Sequence, residues 1–254
     1  MIDFYRFDSL EKYDGLLHAV STRSANDAYG FSLALHTGEE AEKIIKNREF
    51  VSKMLETDRK LHFIVAEQTH SDHIEVIRES ETRGWDSLGD AIADCDALVT
   101  DLKEVVLTIL TADCVPILLF DKEKKVVAAV HAGWKGTKSE IAAKTVCKMQ
   151  EEFGSDPEDI VAGIAPSIGR CCYEVGEEVA KHFFDLPDGY TKKGEKTMLD
   201  LPYINKYQLL ENGLKEEHIE MSDTCTACET QRFFSYRKEQ GCSGRFMSMI
   251  GMVE

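Results

Sequence analysis

The chain has 254 residues, 43% of them apolar and 30% charged, with a formal net charge of −16 at pH 7. That length suffices for one large domain with a substantial core. The acidic excess argues against duplex nucleic acid or an anionic membrane as partner, because both would repel such a surface. The opening residues, Met1 to Asp8, lack the apolar core of a signal peptide. The most apolar stretch, 105–120, is interrupted by Thr108, Thr111, Asp113 and Pro116 and is too short to span a bilayer. A cytoplasmic protein is expected, and its eight cysteines are then expected as thiols rather than as a disulfide framework.

In chain order, short strands are expected at Phe4 to Phe7 and Leu16 to Thr22, followed by a polar, glycine-punctuated loop from Asn26 to Gly38. Ile44, Ile45, Phe50, Val51 and Leu55 roughly follow a helical stripe between Glu40 and Leu55. Phe63 to Ala66 and Ile74 to Ile77 read as strands around a turn, and the charged segment Arg78 to Asp90 reads as a mobile surface loop. Four strands then follow in quick succession: Ala97 to Thr100, Val105 to Leu110, Ile117 to Phe120 and Val126 to Val130. Thr137-Lys-Ser-Glu140 has the pattern of a capping box, starting a helix that runs to about Phe153, before Gly154. Cys147, inside that helix, reads as core. Ile160 to Ile164 reads as a strand, Val175 to Phe184 as a helix, and Leu201 to Asn212 as a helix with Pro202 in its first turn, closing at Gly213. The tail from His218 to Val253 is expected to alternate short strands with turns. Short links between successive strands imply antiparallel or mixed pairing in an α+β layered domain, not a Rossmann fold.

Three features carry chemistry. His70, Cys114 and His131 lie at or near strand ends, and two imidazoles with a thiolate make a donor set for zinc. Spacing alone favours the plainer reading, a buried cysteine and two satisfied histidines. It also permits a metal-free pair in which His131 activates Cys114 as a nucleophile. After His131, Gly133 and Gly136 mark a strand-to-helix turn where free amides and Lys135 suit an anion. Arg170 and Arg48 are further cations open to either an anion or a salt-bridge role. The vicinal pair Cys171 and Cys172 is expected as two thiols. Cys225-Thr-Ala-Cys228 is a lone CxxC, incomplete as a structural zinc site without a second pair nearby.

Gln68-Thr-His70-Ser-Asp72, Asp96-Ala-Leu, Thr111-Ala-Asp-Cys114-Val-Pro-Ile, Val130-His131-Ala-Gly-Trp-Lys-Gly-Thr137, Ile164-Ala-Pro-Ser-Ile-Gly and Phe234-Ser-Tyr-Arg237 occur in order across most of the chain. Together they resemble the YfiH-type laccase-domain family, also called polyphenol oxidase or purine nucleoside phosphorylase of the laccase-domain type. The resemblance implies a single domain over residues 1–254, with a mixed β-sheet core flanked by helices and a fold related to Cys–His toxin deamidases. It implies zinc held by His70, Cys114 and His131, which would also be the catalytic residues. It implies phosphorolysis of adenosine, inosine and methylthioadenosine, adenosine deamination, and a possible homodimer. Lys135, Arg170 or Arg48 would then hold the phosphate. Copper-dependent polyphenol oxidation, also described for the family, fits less well. Multicopper sites gather histidines as HxH pairs, and none of the eight histidines here forms one. Two other readings stay open: a Cys114–His131 amide hydrolase editing cell-wall precursors, and a non-enzymatic metal-binding or interaction protein.

Overall fold

The computed structural model describes residues 2–55, 57–241 and 243–253. Its strands are β1 (Phe4–Tyr5), β2 (Leu16–Ser21), β3 (His62–Val65), β4 (Ile74–Val76), β5 (Ala97–Thr100), β6 (Val105–Thr111) and β7 (Val115–Asp121). They continue with β8 (Val126–Ala132), β9 (Ile160–Ile164), β10 (Glu174–Val175), β11 (Tyr190–Lys193), β12 (Lys196–Leu199), β13 (Ile219–Met221) and β14 (Phe246–Met252). The helices are α1 (Asp8–Glu11), α2 (Ala41–Met54), α3 (Trp134–Lys138), α4 (Ile141–Phe153), α5 (Glu177–Ala180) and α6 (Leu201–Glu211).

Two mixed sheets dominate, in the orders β1-β2-β14-β6-β3 and β13-β9-β7-β8-β5-β4, with a small third sheet β10-β12-β11. Pairing is parallel for β3–β6, β4–β5 and β9–β13 and antiparallel elsewhere. The large sheets pack face to face: Leu107, Ile109 and Ile250 of one meet Leu118, Phe120 and Ala129 of the other in one buried cluster. On the far side of the six-stranded sheet, Ile117, Leu119 and Val130 pack on Val146 and Met149 of α4 and Leu209 of α6. On the far side of the five-stranded sheet, Val106 and Met247 pack with Val51 of α2. The result is a helix–sheet–sheet–helix layering. It explains why β6, β7 and β8 are unbroken apolar runs: each is buried on both faces, so alternation disappears.

Several expectations are corrected. Thr137 does not cap a helix. It is buried within α3, where its hydroxyl accepts from Asn205, and the chain turns into α4 through Glu140 at φ 59°. The segment from Arg78 to Asp90 is anchored, because Trp85 is buried and stacks on Phe63 at 3.9 Å. Cys147 is exposed on α4. The helix expected from Val175 is a strand residue followed by the short α5 and one 3-10 turn. The tail has only two strands among its described residues, β13 and β14, with 222–241 running as turns and irregular chain. Helix α4 ends as expected at Gly154, in the left-handed region at φ 69°.

Candidate metal centre and adjoining pocket

The chain passes between the two large sheets at two places that matter. The link from β3 to β4 carries His70, and the turn from β6 to β7 carries Cys114. Both crossovers open at the same end, beside the C-terminal end of β8, where His131 lies. In the ladder, β8 sits between β5 and β7, with Ala97 opposite Val130 and Pro116 opposite His131. His131 is therefore flanked by Asp96 on one side and Cys114 on the other. The donor atoms of His70, Cys114 and His131 all lie within 4.8 Å of one another. Cys114 Sγ is 3.7 Å from His70 Nε2, and the two imidazole centroids are 4.7 Å apart at an interplanar angle of 80°.

Asp96 organises the cluster. Its Oδ1 is 2.6 Å from His131 Nδ1 and accepts from the His70 amide at 3.1 Å. Its Oδ2 accepts from the Ser71 amide at 2.6 Å and the Ser71 hydroxyl at 2.8 Å, and its carbonyl accepts from the His131 amide. One carboxylate thus fixes the 69–71 turn and the ring of His131, leaving Nε2 of that ring as the free donor. A carboxylate behind an imidazole is the usual outer support of a metal-bound histidine. Gln68 completes the turn differently: its amide donates to the Leu110 carbonyl and accepts from the Leu110 N–H, each at 2.8 Å, extending the β3–β6 ladder with a side chain.

His70 and Asp113 both occupy positive φ, at 63° and 92°. Such backbone costs about 1–3 kcal/mol per residue and persists only where its surroundings hold it. Asp113 is held from three directions. Its Oδ1 accepts from the Thr226 hydroxyl at 2.7 Å, its Oδ2 from the Arg237 amide at 2.6 Å, and its carbonyl from the Ile168 amide. Gly133 is required by space: a Cβ there would lie 2.9 Å from His70 Cδ2 and 3.1 Å from Cys114 Sγ.

Burial by itself raises the Cys114 thiol, but the His131 and His70 imidazoles outweigh it and draw the pKa down to about 6. Burial likewise disfavours a charged His131, yet the Cys114 thiolate and Asp96 lift it to about 9. Each shift has the partner among its causes, and both favour the thiolate–imidazolium pair over the neutral one. A cation displacing that proton would find a ready thiolate and an imidazole already oriented.

Beside the triad lies a cavity of about 480 Å³, within the range of small-molecule sites. Trp134, Tyr173 and Tyr236 give it aromatic walls, and Arg237 and Arg245 bring cations to it. Neither arginine has a carboxylate partner among the described residues. Arg237 instead donates to the Glu174 carbonyl and lies over the Tyr173 ring, and Arg245 donates to the Ser243 and Gly244 carbonyls.

The cations expected to hold an anion are elsewhere. Arg48 is fully buried. It donates to the Leu33, Gly84 and Trp85 carbonyls, which pins α2 to the segment carrying Trp85. Burial pulls its pKa to about 10. Arg170 is clamped by Asp200 at 2.9 Å and by the Asp188 carbonyl, outside the cavity. Lys135 is exposed with its ammonium 5.9 Å from the Trp134 ring, also outside the lining. Asp96 stands in a quoted motif without a role, Arg245 reads from the sequence equally as a core or salt-bridge residue, and Tyr173 carries no assignment there. Arg237 stood in a quoted motif without a role.

The family described as multi-copper polyphenol oxidoreductase laccase matches residues 17–253. Purine nucleoside phosphorylase YlmD of Bacillus subtilis (strain 168) is 36% identical over 226 residues, 87% of this chain and 81% of that protein. Adenosine deaminase RL5, from an unknown prokaryotic organism, is 34% identical over 98% of this chain and 99% of its own length. The crystal structure of YlmD from Geobacillus stearothermophilus superposes with a TM-score of 0.91 at 29% identity, covering 99% of this chain and 96% of that one.

Proposed function

The chain belongs to the multi-copper polyphenol oxidoreductase laccase family, and from that membership we propose that it is a zinc-dependent purine nucleoside phosphorylase. The substrates are adenosine, inosine and methylthioadenosine, with adenosine deamination as a side activity. The observation that carries this reading is one cavity joining the His70–Cys114–His131 cluster to two arginines that have no carboxylate partner among the described residues. The names of the relatives, purine nucleoside phosphorylase and adenosine deaminase, support it.

The donor set suits a single zinc: two imidazoles, a thiolate already favoured over the thiol, and a carboxylate behind one imidazole. An assembly of several copper ions needs more clustered imidazoles than this triad offers. When bound, the ion supplies Lewis-acid stabilisation of charge developing on the purine. Phosphorolysis joins a phosphate oxygen to C1′ as the C1′–N9 bond breaks and the base departs with the bonding pair. Arg237 and Arg245 hold the phosphate by charge-assisted hydrogen bonds. Trp134 and Tyr173 flank the purine, and Asp96 keeps the His131 ring from turning. The Lys135, Arg170 and Arg48 assignment gives way to this pair, because none of the three reaches the cavity.

The test is chromatography of adenosine incubated with the purified protein, with and without phosphate. Adenine formed only with phosphate supports phosphorolysis, and inosine in either tube adds deamination. Adenosine unchanged in both tubes overturns the nucleoside reading.

A further inference from the structure

The lone CxxC of the sequence has its second pair after all. The turn after β9 brings Cys171 and Cys172 against Cys225 and Cys228, and the four sulfurs lie within 4.8 Å of one another. Cys228 Sγ is 3.6 Å from Cys171 Sγ and 3.5 Å from Cys172 Sγ. A disulfide requires about 2.05 Å. A tetrahedron of sulfurs at the zinc–thiolate distance of about 2.3 Å has edges of roughly 3.8 Å. The observed spacing is that of four ligands around one ion, and the cluster holds only sulfur donors.

The local backbone fits the same purpose. The Gly169 amide donates to Cys225 Sγ at 3.2 Å, a bond that suits a thiolate. The Cys172 amide donates to the Gly169 carbonyl, and the Cys228 and Glu229 amides donate to the Cys225 carbonyl, so each pair sits on its own tight turn. A bridge between Ser167 and Cys225 and the Thr226 amide to the Ser167 carbonyl join the two turns by backbone. The apolar packing beneath is small: Ile168, Cys225 and Ala227 are its buried members. Segments with so little core are where a metal replaces hydrophobic burial.

We propose that Cys171, Cys172, Cys225 and Cys228 form a tetrathiolate zinc site, separate from the His70–Cys114–His131 cluster. Four thiolates in a closed set select a structural ion rather than a reactive one. The site staples the turn after β9 to the segment 222–229. The staple adjoins the cavity in sequence: Tyr173 follows Cys172, and Thr226, next to Cys225, donates to Asp113 beside Cys114.

Metal analysis of the intact protein, purified under reducing conditions from zinc-supplemented cells, tests this. Cys114→Ala leaves the four cysteines untouched and should keep one zinc per chain. Exchanged for cobalt(II), that ion should show thiolate-to-metal charge transfer with the intensity of four thiolates. The double variant Cys225→Ser with Cys228→Ser should lose one equivalent relative to the unaltered chain. Cys114→Ala protein without zinc, or with a cobalt spectrum lacking thiolate bands, overturns the proposal. So does iron in place of zinc, or a disulfide among the four cysteines of the reduced protein. Because metal content and spectra are read without a nucleoside, failure here is distinct from failure of the phosphorylase reading.

Discussion

The cavity has two walls of different construction. One is made by ladder ends: His131 on β8, Cys114 just before β7, and Asp96 just before β5, each placed by strand register. The other is made by the irregular wrap 222–241, which contributes Tyr236 and Arg237, with Arg245 just before β14. The first wall inherits its precision from a sheet buried on both faces. The second is positioned by individual hydrogen bonds, chiefly those that Asp113 accepts from Thr226 and Arg237. Metal ligation tolerates little displacement, whereas anion binding by long side chains tolerates more. The division of labour in the proposed function follows that difference.

The sharpest way to break the comparison is Cys114→Ala. It should abolish ion binding at the triad and lower turnover by about 10³-fold or more, since Lewis-acid stabilisation is worth several kcal/mol. The fold should persist, because Cys114 is partly exposed at a strand end. Triad metal retained at full stoichiometry would dismiss this ligand set. A smaller effect separates the walls: Arg237→Ala should raise the KM for phosphate by roughly 10–100-fold, the worth of a hydrogen bond to a charged group. Its metal content should not change, and an unaltered phosphate KM would show that the irregular wall does not read the anion.

The smallest effect on the site belongs to the scaffold. His18, buried on β2, accepts from the Phe7 amide at 2.9 Å, and burial first, then the Arg6 charge, lowers its pKa from 6.5 to about 4. The folded state resists protonation that the unfolded chain accepts below pH 6.5. Stability is therefore full above that pH and declines as pH falls towards 4, by roughly 2–3 kcal/mol. Denaturant midpoints measured across that range should fall for the unaltered chain and flatten for His18→Gln. Equal slopes in the two would assign the acid sensitivity elsewhere.

How far this was legible in the sequence divides along the same line. The apolar runs of β6, β7 and β8 and the histidine and cysteine at their ends could be read, because burial on both faces leaves a compositional mark. The Thr137–Glu140 pattern misled because four residues match a capping box whatever backbone they adopt, and here Glu140 is left-handed. Arg48 misled because residue type says nothing of burial. Its guanidinium looks like any anion-binding cation until three backbone carbonyls are found around it. The wrap 222–241 has no period to detect, so the cations of the second wall stayed unassigned. The four-cysteine cluster was hidden by separation, with Cys172 and Cys228 fifty-six residues apart.

Asp96 has a consequence for how an ion would arrive. Its carboxylate draws the 69–71 turn and the His131 ring together through protein contacts alone. The ordering entropy of those segments is thus met during folding and not at capture. Uptake at the triad should then proceed at a rate set by access through the cavity and by departure of one proton, with no slow rearrangement of the chain.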